Sequence, residues 1–500
     1  MPTTGNKGRL VLATALVLIL GTGAVVFLLW LTPYGIGLYY DSMTYLESAQ
    51  TFSVGQGMGQ IRGGDFLPLV HYPPFYSLVL ATMSALRIDM LAGARYTSAI
   101  ALGVVCVLAG ATVWRSTRSW LLVVLGACWV LVSSPVLHVF SWAMSEPLYL
   151  ALWLGSTLAL DNYLEGGNRR VLIASAALAG MAFLTRYVGG VPVLAASLVL
   201  AARSPRRPIA WKDVVTYLAL ACAPVIAWLG RNSLVAGNPT NRILALHLPG
   251  RDVIRQGADT VIGWFGPAQS LESEEAVAAA GAGIVLVFII LLATLARKRD
   301  EHPIKSPLLG LHVLTSMLYV IGVLISITFF DSHTPLDDRI MIPTYLSLGI
   351  AVLLSLHHAW SLRARVATAL AVVAFLALGV RQVALLGEVA DGLRADGQGY
   401  AAARWRESET GHRLQELAPP LIYTNDTTAV FFVAGLPSTS IPTRGGEEDL
   451  ILMRRELATD GAVLAIFGSL SNEFMPLEQL SEGLTPVEDL LDGRIYRLQE

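Results

Sequence analysis

Residues 10–31 read LVLATALVLILGTGAVVFLLWL, and this run decides the class of fold. It carries no charge, and a helix that crosses a bilayer needs roughly 20 such residues. Lys7 and Arg9 precede it. The run is longer than the roughly 7–15 apolar residues of a signal peptide, and no clear cleavage site follows it. It therefore predicts a retained membrane anchor.

The composition of the whole chain extends this prediction. Of the 500 residues 54% are hydrophobic and 14% are charged, whereas a soluble domain carries about 25% charged residues. Mean hydropathy is +0.58. We predict an α-helical polytopic membrane protein with about eleven transmembrane helices. The candidate spans are residues 10–31, 91–113, 120–139, 147–163, 171–185, 187–202, 212–230, 277–296, 306–330, 341–359 and 364–384.

The distribution of basic residues predicts how the spans are oriented, because cytoplasmic loops are enriched in Lys and Arg. Alternate loops are basic: they contain Arg115 with Arg118, Arg169 with Arg170, Arg203 with Arg206, Arg207 and Lys212, Arg297 with Lys298, Arg299 and Lys305, and Arg363 with Arg365. This pattern puts the N-terminus in the cytoplasm and the C-terminal segment outside a cytoplasmic (inner) cell membrane. It also requires that residues 171–202 form a hairpin with Arg186 near its outer turn, and that Pro73–Leu86 form an interfacial helix.

The C-terminal segment differs from the rest of the chain. Residues 388–500 hold 19 acidic and 9 basic residues, a net charge of −10, which leaves +8 for the remainder. An acidic segment argues against nucleic acid as a partner. Helical and strand patterns alternate here, with strands at 421–424 and 461–467 and an edge strand at 494–498. We predict a transmembrane domain over 1–384, whose first outer loop is 32–90, and a small extracytoplasmic α/β domain over 385–500.

Asp41 follows the first apolar run, in Tyr39-Tyr40-Asp41-Ser42-Met43-Thr44-Tyr45. An acid at a membrane boundary is costly to desolvate, so its default interpretation is functional. We interpret Asp41 as a general base that takes a proton from an acceptor hydroxyl, with Tyr45 on the acceptor side. The alternative is that Asp41 caps a helix over residues 42–53, since Asp is a favoured N-cap residue.

Two further segments of the predicted outer side carry candidate residues. In His71-Tyr72-Pro73-Pro74, His71 is a candidate phosphate ligand and Tyr72 an acceptor contact, or the prolines simply begin the interfacial helix. Glu146, in Ser145-Glu146-Pro147, is either a second acid that orients the acceptor or binds a metal, or a first-turn acid stabilised by the helix dipole.

Three arginines are candidates for binding the phosphate of a donor: Arg339, Arg186 and Arg231. A guanidinium group forms paired hydrogen bonds to phosphate oxygens and stabilises charge on a leaving oxygen. The alternatives are that Arg339 pairs with Asp337 or Asp338, and that Arg186 extends to lipid headgroups.

Other motifs are absent from the sequence. There is no His-Glu-x-x-His, no Cys-x-x-Cys and no P-loop, which disfavours metalloprotease, zinc-site and ATPase functions. Cys106, Cys128 and Cys222 lie within apolar segments and are expected to be core residues. No cofactor is predicted with certainty; a divalent metal is left open, with unknown ligands.

The order of these motifs resembles the GT-C superfamily of polytopic glycosyltransferases, in the group of the protein O-mannosyltransferases and lipid A aminoarabinose transferases. The resemblance covers residues 1–380. It rests on Asp41-Ser42-x-x-Tyr45, His71-Tyr72-Pro73-Pro74-Phe75-Tyr76, Ala94-Arg95, Ser145-Glu146-Pro147-Leu148, Leu184-Thr185-Arg186, Arg231-Asn232 with Gly237-Asn238-Pro239, and Arg339-x-x-x-Pro343. Ser42 stands where the family often has a second acid, and Ile340 where it usually has Tyr.

The resemblance implies an inverting glycosyltransferase of the cell envelope that uses a polyprenyl-phosphate-linked sugar as donor. Asp41 would take the acceptor proton, and Arg339, with Arg186 and His71, would stabilise the lipid-phosphate leaving group. The implied partners are this donor, membrane lipids, and a glycan, lipid or protein acceptor on the outer face of the membrane.

Two other functions fit the same sequence. A lipid or glycolipid transporter predicts ionisable residues at the bilayer midplane and often a repeated architecture. The predicted spans carry little charge at their centres and no repeat is visible, which favours chemistry at the surface. The other alternative is an inactive scaffold whose C-terminal segment binds a partner.

Overall fold

The computed structural model describes residues 4–62, 65–202, 210–265, 307–332, 334–361, 363, 365–458 and 461–498. Its packing divides the chain into two compact units. The first unit comprises Met1–Leu31, Val70–Tyr76 and Ala94–Gly392, and the second comprises Thr32–Leu69, Ser77–Gly93 and Leu393–Glu500. The loop that follows the first helix is thus grouped with the C-terminal segment. The domain boundary that the sequence suggests at 384/385 stays a prediction.

Helices dominate the chain up to residue 395. In chain order the elements are α1 (Thr4–Leu31), α2 (Tyr40–Ser53), β1 (Gly59–Arg62), β2 (Asp65–Pro68), α3 (Phe75–Ala85), α4 (Met90–Thr117), α5 (Trp120–Val132), α6 (Ser134–Phe140), α7 (Glu146–Gly166), α8 (Arg169–Thr185), α9 (Gly190–Ala202), α10 (Ala210–Ala236), α11 (Arg251–Gly263), α12 (Leu308–Phe329), α13 (Asp338–Ser361) and α14 (Arg365–Ala395).

Six described helices are long and apolar enough to cross a membrane, namely α1, α4, α10, α12, α13 and α14. A seventh span would be formed by α5 and α6 together, which are bent by 57° at their junction. The predicted span 277–296 lies outside the described residues, and each other predicted span falls on helix. The multi-pass helical architecture is confirmed, and the number eleven stays a prediction.

The break predicted at Arg186 is confirmed. Helix α8 ends at Thr185, Arg186 is extended (φ −148°, ψ 134°), and a 3-10 turn over Tyr187–Gly189 leads into α9. A Cβ atom on Gly189 would lie 2.6 Å from the Cα atom of Phe183. Only glycine therefore allows the chain to fold back this closely after α8.

The first turn of α2 corrects one interpretation of Asp41. The N-cap residue is Tyr39, whose backbone N–H donates to Ser42 Oγ at 2.9 Å. Asp41 lies in the first turn and is half-buried, so the suggestion that it is the N-cap is wrong. A carboxylate in the first turn is favoured by the helix dipole.

The C-terminal part of the second unit is an α/β fold, as predicted. Its elements are α15 (Ala403–Arg406), α16 (Glu409–Leu417), β3 (Ile422–Thr424), α17 (Thr427–Ala429), β4 (Thr439–Ser440), α18 (Glu447–Leu457), β5 (Val463–Phe467), α19 (Leu477–Leu480), β6 (Leu484–Leu490) and β7 (Gly493–Leu498). The strands form one sheet in the order β4-β3-β5-β7-β6. Strand β3 is parallel to β4 and β5, whereas β7 is antiparallel to β5 and β6.

The prediction that 494–498 is an edge strand is wrong, because β7 lies between β5 and β6. The edge strand next to β7 is β6, in a segment where no strand was predicted. Pro486 and the acids of β6 do not resemble a strand sequence, but proline is tolerated at an edge because its missing N–H faces no neighbour. A register shift between Pro486 and Glu488 adds to the irregularity.

Within the second unit, the loop before α2 is bonded to the chain after α14. Leu38 and Gly399 form a parallel bridge, and the Tyr400 N–H donates to the Leu38 carbonyl at 2.9 Å. The Arg406 guanidinium lies over the ring of Tyr34, 3.8 Å from its centroid. These contacts anchor the backbone three residues before Asp41.

Candidate active site

A buried carboxylate between two arginines forms a polar cluster in the first unit. Glu146 Oε1 lies 2.5 Å from Arg186 Nη1 and 3.5 Å from Arg339 Nε. The Glu146 side chain is 2% exposed, whereas those of Arg186 and Arg339 are 19% and 22% exposed. Two of the four predicted phosphate ligands, Arg186 and Arg339, are therefore brought together around the predicted second acid.

Helix boundaries deliver the three side chains to one place. Glu146 is the first residue of α7, followed by Pro147 in the first turn, where the missing N–H of proline costs no hydrogen bond. Arg186 is the residue at which α8 ends, and its Nη1 also donates to Ser145 Oγ at 3.2 Å. Arg339 is the second residue of α13.

The acids beside Arg339 are engaged with other groups. Asp337 Oδ1 accepts the backbone N–H of Ile340 at 2.9 Å, which caps the start of α13. Asp338 Oδ1 accepts the indole N–H of Trp264 at 2.9 Å. Arg339 forms an ion pair with Glu146, and its pairing with Asp337 or Asp338 stays an alternative prediction.

Burying the Glu146 carboxylate carries a desolvation cost. Among the described residues, neither of its carboxylate oxygens accepts a hydrogen bond of ordinary geometry, so ion pairs alone compensate its burial. A buried ion pair of this kind is weak evidence for a stabilising role. Glu146 lies where the start of α7, the end of α8 and the start of α13 meet.

The segment that carries His71 is held from two sides within the first unit. The carbonyl of Val70 accepts hydrogen bonds from Tyr187 Oη at 3.4 Å and from Asn232 Nδ2 at 3.5 Å. Asn232 is fully buried and also donates to the Pro239 carbonyl at 2.9 Å. His71 itself packs edge-on against Tyr72, with ring centroids 4.7 Å apart.

Arg231 contacts the same region through its neighbour. Its Nη1 donates to Asn232 Oδ1 at 3.0 Å, and its guanidinium lies 4.8 Å from the Trp228 ring centroid. A separate arginine of the family resemblance, Arg95, donates from Nη2 to the Leu29 carbonyl at 2.6 Å and so closes the end of α1. The sequence motif found Arg95, and the structure assigns it this structural contact.

Asp41 and Tyr45 belong to the second unit, on α2. Asp41 is half-buried, and Tyr45 is 3% exposed. Their roles as base and as acceptor contact stay predictions, as does that of the half-buried Tyr72.

Sequence reasoning assigned no role to the two groups that hold Val70, although Asn232 stands in the quoted Arg231-Asn232 motif. Tyr187 and Asn232 stand directly after the predicted arginines Arg186 and Arg231. The motif pointed to Asn232, and only the position next to Arg186 could have pointed to Tyr187. Neither signal reveals what the two residues contact, because a backbone carbonyl leaves no trace in residue types.

The described residues offer no suitable set of metal ligands. No three His, Cys, Asp or Glu side chains among them lie close enough to hold an ion, and Ser42 follows Asp41 where a second acid would stand. We therefore derive no step through a metal.

Long apolar helices define the class: a polytopic membrane protein. The ion-paired residues Glu146, Arg186 and Arg339 lie at helix boundaries. No family model matches the chain, and no curated protein matches it by sequence. Solved structures do match.

The arabinofuranosyltransferase AftD from Mycobacteria matches with a TM-score of 0.55 and 14% identity, over 97% of this chain and 40% of its own. ArnT from Cupriavidus metallidurans, in a crystal structure bound to undecaprenyl phosphate, matches with a TM-score of 0.47 and 14% identity, over 98% of both chains. AglB from Archaeoglobus fulgidus, in complex with an inhibitory peptide and a dolichol-phosphate, matches with a TM-score of 0.46 and 11% identity. The match covers 90% of this chain and 69% of the AglB chain. The likeness to AftD shows a shared fold over nearly all of this chain, in agreement with the fold that the resemblance of its motifs implies.

Proposed function

We propose that the protein is an inverting glycosyltransferase that moves a sugar from a polyprenyl-phosphate-linked donor to an acceptor hydroxyl on the outer face of the membrane. The observation that carries this proposal is the cluster of Arg186, Glu146 and Arg339. It holds two positive charges and one negative charge, and both arginines keep exposed surface. A lipid-linked phosphate matches that excess charge, and a site at the ends of spanning helices suits a donor that stays in the bilayer.

The proposed reaction assigns one role to each group. The acceptor oxygen attacks the anomeric carbon as its proton passes to the Asp41 carboxylate. The bond from that carbon to the phosphate oxygen breaks on the opposite face, which inverts the configuration, and the phosphate leaves with the electron pair. Arg339 and Arg186, with His71, stabilise the charge that develops on the leaving phosphate. Arg231 is a further donor contact.

Glu146 is proposed to position the two arginines. Being 2% exposed, it offers little surface to an acceptor, but its charge keeps two guanidinium groups close to each other despite their mutual repulsion. Tyr45 and Tyr72 remain the proposed acceptor contacts.

The proposed topology follows from the loop charges. The N-terminus and the basic loops lie in the cytoplasm, and the acidic C-terminal domain lies outside the inner membrane. This arrangement puts the acceptor, a glycan, lipid or protein of the cell envelope, on the same side as Asp41.

The test is a transfer assay on the full chain in nanodiscs. Radiolabelled polyprenyl-phosphate sugars are supplied with candidate acceptors, and release of polyprenyl phosphate is measured. Asp41→Asn is expected to lower release by a factor of about 10²–10⁴, the usual contribution of a general base. Asp65→Asn, an exposed acid of β2, is the matched control and should retain activity.

Equal release from wild type and Asp41→Asn would remove Asp41 from catalysis. If no donor is cleaved and a labelled sugar lipid instead crosses the bilayer, the protein is a transporter and the proposal is wrong.

A further inference from the structure

The C-terminal α/β fold contains a cleft that the proposed reaction does not use. Its volume is about 560 Å³, within the range of roughly 300–1,000 Å³ that is usual for small-molecule sites. It is lined by the loop after β5, by the segment that leads into α19, and by the turn between β6 and β7.

The cleft lies beyond the carboxyl end of β5, next to the point at which the chain changes direction in the sheet. Strands β3 and β5 are parallel neighbours. The chain leaves β3 towards β4 on one side and leaves β5 towards β6 and β7 on the other. In open α/β sheets, ligands bind beyond the carboxyl ends of strands at such a switch point. Gly468, directly after β5, lines the cleft.

The strand ends at this point are held rigidly. Asn425, directly after β3, donates from Nδ2 to the Phe467 carbonyl and accepts the Phe467 N–H on Oδ1, both at 2.8 Å. One side chain thus bridges the ends of both strands. Phe467 directly precedes the loop that lines the cleft, so this loop begins from a fixed position, and a preorganised site lowers the entropic cost of binding.

The charges of the lining exclude two classes of ligand. The cleft has two arginines, Arg444 and Arg494, and three acids, Glu478, Asp489 and Asp492, so an anion meets net negative charge. Among the described residues no group of acids or histidines is close enough to hold a cation. A neutral ligand therefore fits best.

Polar and apolar groups are combined in the lining. Ser469 and Asn472 are exposed, and in the part of the chain that the structure describes their side chains make no hydrogen bond within the protein. Leu470, Phe474 and Leu477 are partly buried on the core of the sheet. Hydroxyl and amide groups beside an aromatic ring match a ligand with many hydroxyls on one side and C–H groups on the other.

We propose that this cleft binds a neutral saccharide, with Asn472 and Ser469 bonded to its hydroxyls and Phe474 packed against its apolar face. That this saccharide is part of the acceptor rests on the proposed glycosyl transfer. Binding itself does not, because it requires no donor.

The experiment measures binding by the full chain in nanodiscs. The probes are neutral di- to tetrasaccharides of mannose, galactose, glucose and arabinose, followed by saturation-transfer NMR and calorimetry. Asn472→Ala and Ser469→Ala should each raise the dissociation constant roughly 2- to 10-fold, which is the effect of losing one neutral hydrogen bond. Gln479→Ala, an exposed amide of α19 outside the lining, is the matched control and should bind as wild type does.

Asp41→Asn separates this proposal from the proposed transfer, since it should abolish transfer and leave binding unchanged. The cleft proposal is overturned if none of the saccharides binds, if the cleft variants bind as tightly as Gln479→Ala, or if inorganic phosphate displaces the bound saccharide.

Discussion

At the scale of single residues, Glu146 is the group around which the candidate site is organised. Its removal takes away the buried negative charge that Arg186 and Arg339 share, and breaking a buried pair in this way costs about 3–5 kcal/mol. Glu146→Gln is therefore expected to lower the free energy of unfolding by that amount and to weaken binding of a polyprenyl phosphate. Thermal unfolding in nanodiscs and a lipid-phosphate binding assay measure the two effects.

The control for this prediction is Glu165→Gln. Glu165 also pairs with an arginine, Arg115, but its side chain is 68% exposed. Exposed pairs contribute about 0–1 kcal/mol. A similar loss of unfolding free energy in the two variants would show that the burial of Glu146 does not determine its contribution to stability.

A second prediction concerns the carbonyl of Val70. Asn232→Ala and Tyr187→Phe each remove one hydrogen bond to this carbonyl. Each should lower kcat/KM for the donor, because the segment that carries His71 is then held less firmly. The expected loss is roughly tenfold for Asn232→Ala. The two effects should be non-additive, since both residues act on one acceptor. Steady-state kinetics of the double-mutant cycle test this, and strictly additive effects would argue that the residues act independently.

At the scale of elements, α16 depends on the turn between β6 and β7. Asp492 accepts hydrogen bonds from the Ser408 hydroxyl and from the Thr410 N–H and hydroxyl, at 3.0 and 2.8 Å for the last two. Burial acts to raise the pKa of Asp492, but these hydrogen bonds outweigh it, and the pKa lies below its ordinary value. The first turn of α16 is thereby fastened to the sheet.

This geometry predicts a pH dependence. A carboxyl whose pKa is depressed by folding stabilises the fold above its unfolded pKa of about 3.9, and that stability is lost as the pH falls through the folded value. Asp492→Asn should lower the free energy of unfolding of this fold by about 1–2 kcal/mol at pH 7, with a difference from wild type that shrinks below about pH 4. Urea unfolding at several pH values measures it. Asp489→Asn, an exposed partner of Arg494, should have little effect at any pH, and a pH-independent loss in Asp492→Asn would contradict the assignment.

Elements differ in how well the sequence predicts them. Long apolar runs specify helices directly, since their length and the bilayer thickness coincide, and the break at Arg186 follows from glycines that permit a tight turn. Strand β6 was missed because an edge strand tolerates Pro486 and acids that would exclude it from a sheet interior. Its pairing with β7 is a tertiary contact that local residue patterns do not encode.

At the scale of the whole chain, the loop that carries Asp41 is bonded to residues that follow α14. Arg406 lies over Tyr34, and such a contact is worth about 0.5–1 kcal/mol at an exposed site. Arg406→Ala should speed hydrogen exchange in residues 34–45 roughly 2- to 5-fold. Arg404→Ala, which removes a similar contact with Trp405, is the control. Unchanged exchange in both variants would show that the backbone bridge alone holds the loop.

The candidate site was predictable to the extent that charge reveals it. Glu146, Arg186 and Arg339 were found because ionisable residues at membrane boundaries are costly and therefore informative. Their mutual pairing was not predicted, since sequence spacing does not tell which helix ends meet. The bridge between Leu38 and Gly399 was invisible for a different reason: it is made by backbone atoms, and only the left-handed conformation of Gly399 (φ 58°) relates it to a residue type.

That bridge also orders events during synthesis. Leu38 is made early, and its backbone partner follows about 360 residues later. At roughly 5–20 residues per second, a ribosome needs about 20–70 s to cover that interval. The loop around Asp41 therefore lacks its backbone contact with Gly399 while most of the membrane helices are inserted. The contact forms only after the C-terminal segment has been synthesised. A nascent chain stalled before residue 399 would carry every proposed catalytic residue and still lack the anchor that sets the loop in place.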